Sequence, residues 1–444
     1  MKRLSALVLL LLAFLVAGGC ITDPVTGGSV LGMPMSDAEE SEIGVAYKPM
    51  IVQEYGGPYP DAELHRHLEG IVLPMARQSV RPDLPWTFTV LNTSVPNAFA
   101  VPGGQVFVTR GMLVRMEDEA EFAVVMGHEL GHVEHRHGVQ AIGRQQLFAG
   151  LGTAVELGFG EEVGQPTAAV LQFVELGYSR EQENESDARG VEASYRSGYD
   201  PREGADVFRM FLAMKQEMGD STPWYLSTHP ADEERIANVL SMSAQKDSRL
   251  AGTGDVAGFR RTTPEWTRLI TRLRNEQQTY DRYDRALASV AESKGAQEAA
   301  SAAVSTLEAC ARELPGHALI VASLGKVRAV AGDIAGAKTD LARAASMDQG
   351  LVEPEWILGV VAIDEKRWDD AARHAEKGLS ILPGNYQCLA IRGEARWNLG
   401  RRAEAQADFQ QVLESAPNGS EEQRLAQSRI QETEPAPRKR RAKR

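Results

Sequence analysis

Apolar residues along this chain follow three spacing regimes in turn, and each marks a different kind of element. The first regime is one continuous run, Leu4 to Ala17, behind Lys2 and Arg3. It is too short to span a bilayer well and carries the charged start of an export signal, so residues 1–20 are expected to be a signal peptide. No later segment offers 18 uninterrupted apolar residues, so no membrane span is expected after it. Residues 21–60 are rich in Gly, Pro and acids and predict a tether, 21–36, leading into a first helix. The second regime mixes periods. Leu64, Leu68, Ile71 and Met75 form one helical stripe within 61–80. Trp86–Leu91, Asn97–Val101 and Gln105–Thr109 alternate as strands do, with Pro102-Gly103-Gly104 as a turn. Residues 117–138 predict a helix led by acids and closed by Gly138. Residues 141–178 are apolar and glycine-rich and predict paired core helices, and 180–198 predict a further helix closed by Gly198 and Pro201. The expected result is an α+β domain over 37–250, with a Gly/Thr-rich linker at 251–264 and a connecting helix up to 283.

The third regime is a repeat. Gly325, Gly359 and Gly393 stand 34 residues apart, as do Ala337, Ala371 and Ala405. Pro315, Pro383 and Pro417 fall on the same grid. Small residues at fixed points let paired helices cross closely, and the prolines end the second helix of each pair. Residues 284–417 resemble tetratricopeptide repeats (TPR), which implies an all-α solenoid with a curved surface for peptides or protein partners. A C-terminal helix and a basic tail complete the chain at 418–444.

Charge narrows the partners. The 444 residues carry a net charge of −13, which argues against nucleic acid as a partner, although Arg438–Arg444 holds six positive charges. Cysteine is too scarce for a disulfide framework. Cys310 and Cys388 are expected as buried small hydrophobes, and Cys20 ends the segment Val16-Ala-Gly-Gly-Cys20. That segment resembles a bacterial lipobox, with Ala17 where such boxes prefer Leu. The resemblance implies a lipid on Cys20. Ile21 stands where an Asp would favour inner-membrane retention, so the outer membrane is expected; ordinary cleavage would instead give a secreted or periplasmic protein.

The chemistry concentrates in two short stretches. His128-Glu-Leu-Gly-His132 puts two imidazoles four residues apart on one helical face, able to bind one Zn²⁺. Glu129, one step round, is placed to accept a proton from water. In Ser179–Asp187, Glu183 and Asp187 share a face. Glu183 is the candidate third ligand, Asp187 the candidate partner for the far nitrogen of a ligand histidine, and Glu185, expected to point away, the weaker alternative. His229, held out of helix by Pro230, is expected in a loop that reaches the metal. There it is either a donor to the oxyanion of hydrolysis or a fourth ligand that holds the site latent. Asn97, Ala98, Phe99 and Ala100 form either an exposed strand edge, on which an extended peptide would pair, or an ordinary internal strand.

His128–His132 followed by Arg180-x-x-Glu183-x-x-Ser-Asp187 resembles the HtpX / CAAX-prenyl-protease-type zinc metallopeptidases. Asn97-Ala-Phe-Ala100, Arg136-His137, Ser227-Thr-His-Pro230 with Glu234-Arg235, and Asp23-Pro-Val-Thr-Gly27 after Cys20 extend the likeness to a lipoprotein subgroup. Ser186 stands where that family has Ala. The resemblance implies a zincin fold, one zinc per chain, Glu183 as third ligand, His137 packed behind the site, and hydrolysis of misfolded or stalled envelope proteins. It implies partners among unfolded or misassembled envelope proteins, outer-membrane assembly machinery through the repeats, and the membrane through Cys20. The rival expectation is an envelope chaperone or adaptor built on the repeats, with a latent or structural zinc site.

Overall fold

The computed structural model describes residues 20–32, 34–143, 177–218, 228–294 and 296–432. The signal segment before Cys20, nearly all of the predicted core helices at 141–178, and the basic tail lie outside the described residues. The chain divides into two compact units, with the boundary near Asp281.

The first unit is built on a small mixed sheet. Strand β3 (Thr87–Leu91) pairs in parallel with β5 (Gln105–Thr109), and β4 (Ala98–Val101) pairs antiparallel on the other side of β5. The order β3-β5-β4 leaves β4 at the edge of the sheet among the described residues. Alternation sends side chains to two covers. Leu91, Phe99, Val101 and Phe107 pack with Ile51 of helix α1 (Asp37–Glu54). On the other face, Phe88 meets Phe122 of the long helix at Glu119–Glu134 edge-on at 5.9 Å. Helix α2 (Ala62–Arg77) buries Leu64, Leu68, Ile71 and Met75, the stripe its spacing predicts. A short helix α3 (Arg110–Leu113) follows β5.

Helix α4 (Glu119–Glu134) is buried along its whole length. It opens on a capping box, Asp118 with Glu121, which satisfies otherwise orphaned backbone N–H groups. It ends four residues before Gly138. Arg136 takes a positive φ of 58°, and its Nε donates to Glu40 at 3.2 Å. The Arg81 guanidinium donates to the Val133 carbonyl at 2.8 Å, beside the Arg136 backbone N–H that reaches the same oxygen at 3.1 Å, so the helix end is capped from two sides. This early turn brings His135 and His137 back toward the helix they follow.

Helices α5 (Arg180–Arg196), α6 (Glu203–Met218) and α7 (Glu233–Lys246) complete the cover. Two segments differ from expectation. Residues 21–36, expected as a tether, include a docked hairpin, β1 (Cys20–Thr22) with β2 (Ser29–Leu31). It is fixed because Ile21 is buried with Met35 and Val139, and the Asp23 carboxylate meets His135 at 2.9 Å. Residues 251–264, expected as a linker, are tied in part to the first unit. The Arg261 carbonyl accepts from Ala120 at 2.7 Å, and its guanidinium pairs with Asp118 and Glu203. Helix α8 (Pro264–Glu292) then buries Trp266 within that unit.

The second unit is helical throughout its described elements: α9 (Gln297–Glu313), α10 (Ala318–Ala331), α11 (Ile334–Met347), α12 (Glu353–Asp364), α13 (Trp368–Ile381), α14 (Tyr386–Asn398), α15 (Arg402–Ser415) and α16 (Glu421–Gln431). The 34-residue grid has a steric cause. A Cβ on Gly325 would lie 2.7 Å from Leu341, and one on Gly393 would lie 2.8 Å from Phe409. Ala337, Ala371 and Ala405 are fully buried, as are Cys310 and Cys388. No helix among the described residues is long and apolar enough to cross a membrane.

Candidate metal centre

The centre lies where α4 crosses α5. Gly127 and Gly131 stand one residue ahead of His128 and His132, on the face turned toward α5. A Cβ on Gly127 would come within 2.9 Å of Ala193 Cβ, and one on Gly131 within 2.9 Å of Ser186 Cα. Gly190 does the same from the other side, against the Val124 carbonyl. Backbones this close let short side chains from two helices meet.

They meet as a cluster of four. A ring nitrogen from each of His128, His132 and His229 and a carboxylate oxygen of Glu183 all lie within 4.8 Å of one another. Two ligands on a tetrahedral ion with bonds of about 2.0–2.1 Å sit roughly 3.3 Å apart. His128 Nε2 is 3.0 Å from His132 Nε2, 3.3 Å from His229 Nδ1 and 3.7 Å from Glu183 Oε2. Glu183 Oε1 is 3.5 Å from His132 Nε2 and 2.9 Å from His229 Nδ1. Four of these distances join one donor atom per residue, and the fifth, from His128, is to the second Glu183 oxygen; they scatter around the tetrahedral value, so the donor set fits a small divalent ion. His229 sits within this set.

The surroundings orient these donors. Asp187 Oδ1 lies 2.9 Å from His128 Nδ1, the place sequence spacing assigned to it. Arg235 binds both carboxylates: NH1 is 2.8 Å from Glu183, and Nε and NH2 are 2.8 and 2.7 Å from Asp187. It also donates to the Pro230 carbonyl at 2.8 Å, which fixes the turn that carries His229. Burial raises both carboxylates, but histidine contacts outweigh it at Glu183 and the Arg235 and His128 bonds outweigh it at Asp187, so both are held below the usual range. Burial lowers His132 well below an ordinary histidine.

Glu129 is 1% exposed and stands outside the donor set. Burial pushes it up to about 8, opposed by the charge on His128 and by the Ala100 backbone N–H that reaches its carboxylate. Its Oε1 has no hydrogen-bond partner among the described residues. Edge strand β4 thus touches the carboxylate that spacing singles out for proton transfer.

Glu185 does not point away, as expected. It meets His137 Nε2 at 3.1 Å, and His137 Nδ1 lies 2.9 Å from His132 Nδ1. The early end of α4 causes this, because it folds His137 back behind the ligand helix. Sequence reasoning missed Tyr178, whose ring lies flat on His132 at 3.9 Å, and the bridging role of Arg235, present in the sequence only as part of a motif. His67 and His374 pair with Glu119 and Glu355 outside this cluster.

Residues 61–243 match the model of peptidase family M48. This segment is an M48 peptidase domain. The chain is similar to the mitochondrial metalloendopeptidase OMA1 of Arabidopsis thaliana, 30% identical over 199 residues, covering 44% of this chain and 37% of the relative. It is 26% identical over 231 residues to the beta-barrel assembly-enhancing protease of Escherichia coli K12, covering 49% and 46%. The OMA1 of Schizosaccharomyces pombe is 31% identical over 162 residues, covering 35% and 46%. The chain thus spans less than half the length of these relatives. Peptidases of family M48 are metal-dependent, and the M48 domain here holds the four-residue cluster that fits an ion.

Proposed function

We propose that this chain is a zinc-dependent endopeptidase of the cell envelope. The observation that carries the reading is a closed set of metal donors beside a buried carboxylate, Glu129, that is not one of them. A purely structural metal site has no use for that carboxylate. Zinc held by His128, His132 and Glu183 supplies Lewis acidity to the scissile carbonyl and the attacking water. Glu129 takes the proton that water loses and delivers it to the amine nitrogen as the peptide C–N bond breaks. Asp187 fixes the tautomer of His128, and Arg235 keeps two buried carboxylates ionised side by side. An extended peptide pairs on the outer edge of β4 at Asn97–Ala100, which lines it up with Glu129. The buried Asn97 side chain supports this role, since neither its nitrogen nor its oxygen has a partner among the described residues.

His229 acts as a fourth ligand in a latent form of the enzyme. Its 2.9 Å and 3.3 Å contacts with Glu183 and His128 favour this over the oxyanion donor. The helices of the second unit form a TPR solenoid that binds substrate or the outer-membrane assembly machinery. A lipid on Cys20, which is exposed, anchors the protein to the periplasmic side of the outer membrane. Substrates are misfolded or stalled envelope proteins, in keeping with the name of the beta-barrel assembly-enhancing protease that the chain resembles. The test is digestion of an unfolded outer-membrane protein by purified wild type beside Glu129→Gln. The variant should keep its metal and lose cleavage by at least about 10²–10⁴-fold. Equal cleavage by both would overturn the mechanism.

A further inference from the structure

Behind the M48 centre stands a second group of donors that the proposed hydrolysis does not use. His135, His137 and Glu185 each offer one atom, and these atoms lie within 4.8 Å of one another. His137 is fully buried and His135 nearly so, whereas the Glu185 side chain is 33% exposed and opens the group to solvent. His137 Nε2 and Glu185 Oε2 are 3.1 Å apart, close to the roughly 3.3 Å between two ligands on a tetrahedral ion. The His135 ring lies nearly parallel to His137, with 14° between planes. The Asp23 carboxylate holds His135 Nδ1 at 2.9 Å, the pairing that commonly orients metal-binding histidines. Two imidazoles and one carboxylate suit zinc, nickel or copper better than calcium or magnesium.

We propose that His135, His137 and Glu185 form a second, weaker site for a divalent transition-metal ion, and that filling it loosens the first. The site rests on donor geometry; the coupling rests on the reading of the first centre given above. When His132 binds metal through Nε2, its one proton stays on Nδ1 and is donated to His137 Nδ1, 2.9 Å away. His137 then carries its own proton on Nε2, facing Glu185. An ion at the second site takes the Nε2 lone pair and displaces that proton. A neutral His137 then has its proton on Nδ1, where it meets the N–H of His132 head-on. The two ions compete through one imidazole. Metal in excess therefore weakens retention at the catalytic centre, a brake set by metal supply and independent of His229.

The test is titration of the metal-free full chain with Zn²⁺ alone, read by calorimetry and by competition with a chelating dye. Wild type should bind a tight equivalent and then a weaker one, and filling the second should speed loss of the first by about 10–100-fold, the usual effect of disturbing a ligand's partner. His135→Ala should retain the tight equivalent and lose the weak one. Glu185→Gln keeps an oxygen to accept from His137 Nε2–H but is a poor ligand, so it too should lose the weak equivalent. Saturation of wild type at one equivalent, or a weak equivalent that survives in both variants, would overturn the second site. A second equivalent that leaves the first unaffected would overturn the coupling. Absence of the tight equivalent would instead count against the reading of the catalytic centre.

Discussion

Arg235 carries the residue-scale logic of the centre. Glu183 and Asp187 lie one helical turn apart, almost fully buried, and two ionised carboxylates there repel each other without a cation between them. Arg235 spans both with a planar fork and also packs over the Phe208 ring at 4.2 Å. Arg235→Ala should therefore weaken zinc binding by about 10–100-fold in a chelator-competition assay. Arg235→Lys should restore little, because a point charge cannot hold two carboxylates bidentately. His132→Ala and Glu183→Ala should lose most of the metal, and full retention by Glu183→Ala would remove it from the ligand set. His229 separates two signs. As a latch, its replacement by Ala should raise cleavage of an unfolded substrate at constant zinc; a fall would make it the oxyanion donor.

At the scale of elements, the crossing of α4 and α5 decides whether the donors meet. Alanine is favoured over glycine in helices by about 1 kcal/mol, so Gly131→Ala gains propensity. Its Cβ would sit 2.9 Å from the Ser186 backbone, which cannot move as a flexible side-chain end does. The net effect should be a loss of roughly 1–3 kcal/mol in urea unfolding, with reduced zinc content. The start of α4 gives a pH dependence. Burial pushes Glu121 up to about 7 from an ordinary value near 4.5, partly offset by the Asp118 and Glu117 backbone N–H groups. Between those values the folded chain holds a proton that the unfolded chain has released. This contribution to stability is complete below about pH 4.5 and is lost as pH rises through 7. Glu121→Gln keeps an acceptor for the cap and removes the charge, so it should flatten the fall in melting temperature between pH 5 and 8.

At the scale of the molecule, the proposed metal and the proposed lipid anchor each give a test. An ion that binds only the folded M48 domain stabilises it by mass action, so chelation should lower the melting temperature and added zinc should restore it. Cys20→Ser should move the protein from the membrane to the soluble fraction. Identical fractionation of variant and wild type, with no lipid found by mass spectrometry, would refute the anchor. The docked hairpin adds a constraint on that test. Asp23 is buried three residues after Cys20, so Cys20, the proposed attachment point, lies close to the folded domain, with no free tether of 16 residues between them.

Periodicity and spacing alone determined much of this protein. Helical and strand stripes in the first unit, the 34-residue grid, and the pairing of His128 with His132 and Glu183 with Asp187 are local patterns, because side chains four apart on a helix share a face whatever surrounds them. The spacing of Gly127, Gly131 and Gly190 was equally present, but its meaning depends on which helix comes near. The tertiary structure decided what local rules cannot express. Strand β4 stands at the sheet edge among the described residues because pairing order is a long-range property. Helix α4 stops at Glu134 because Arg136 is caught by Glu40, 96 residues earlier, and that stop turns His137 and Glu185 toward each other. The hairpin docks because Asp23 finds His135, and Arg235 acts as a bridge only once α7 stands against α5. Each depends on charges and donors distant in sequence meeting in a dry interior, where an unpaired group is costly and a paired one fixes the geometry.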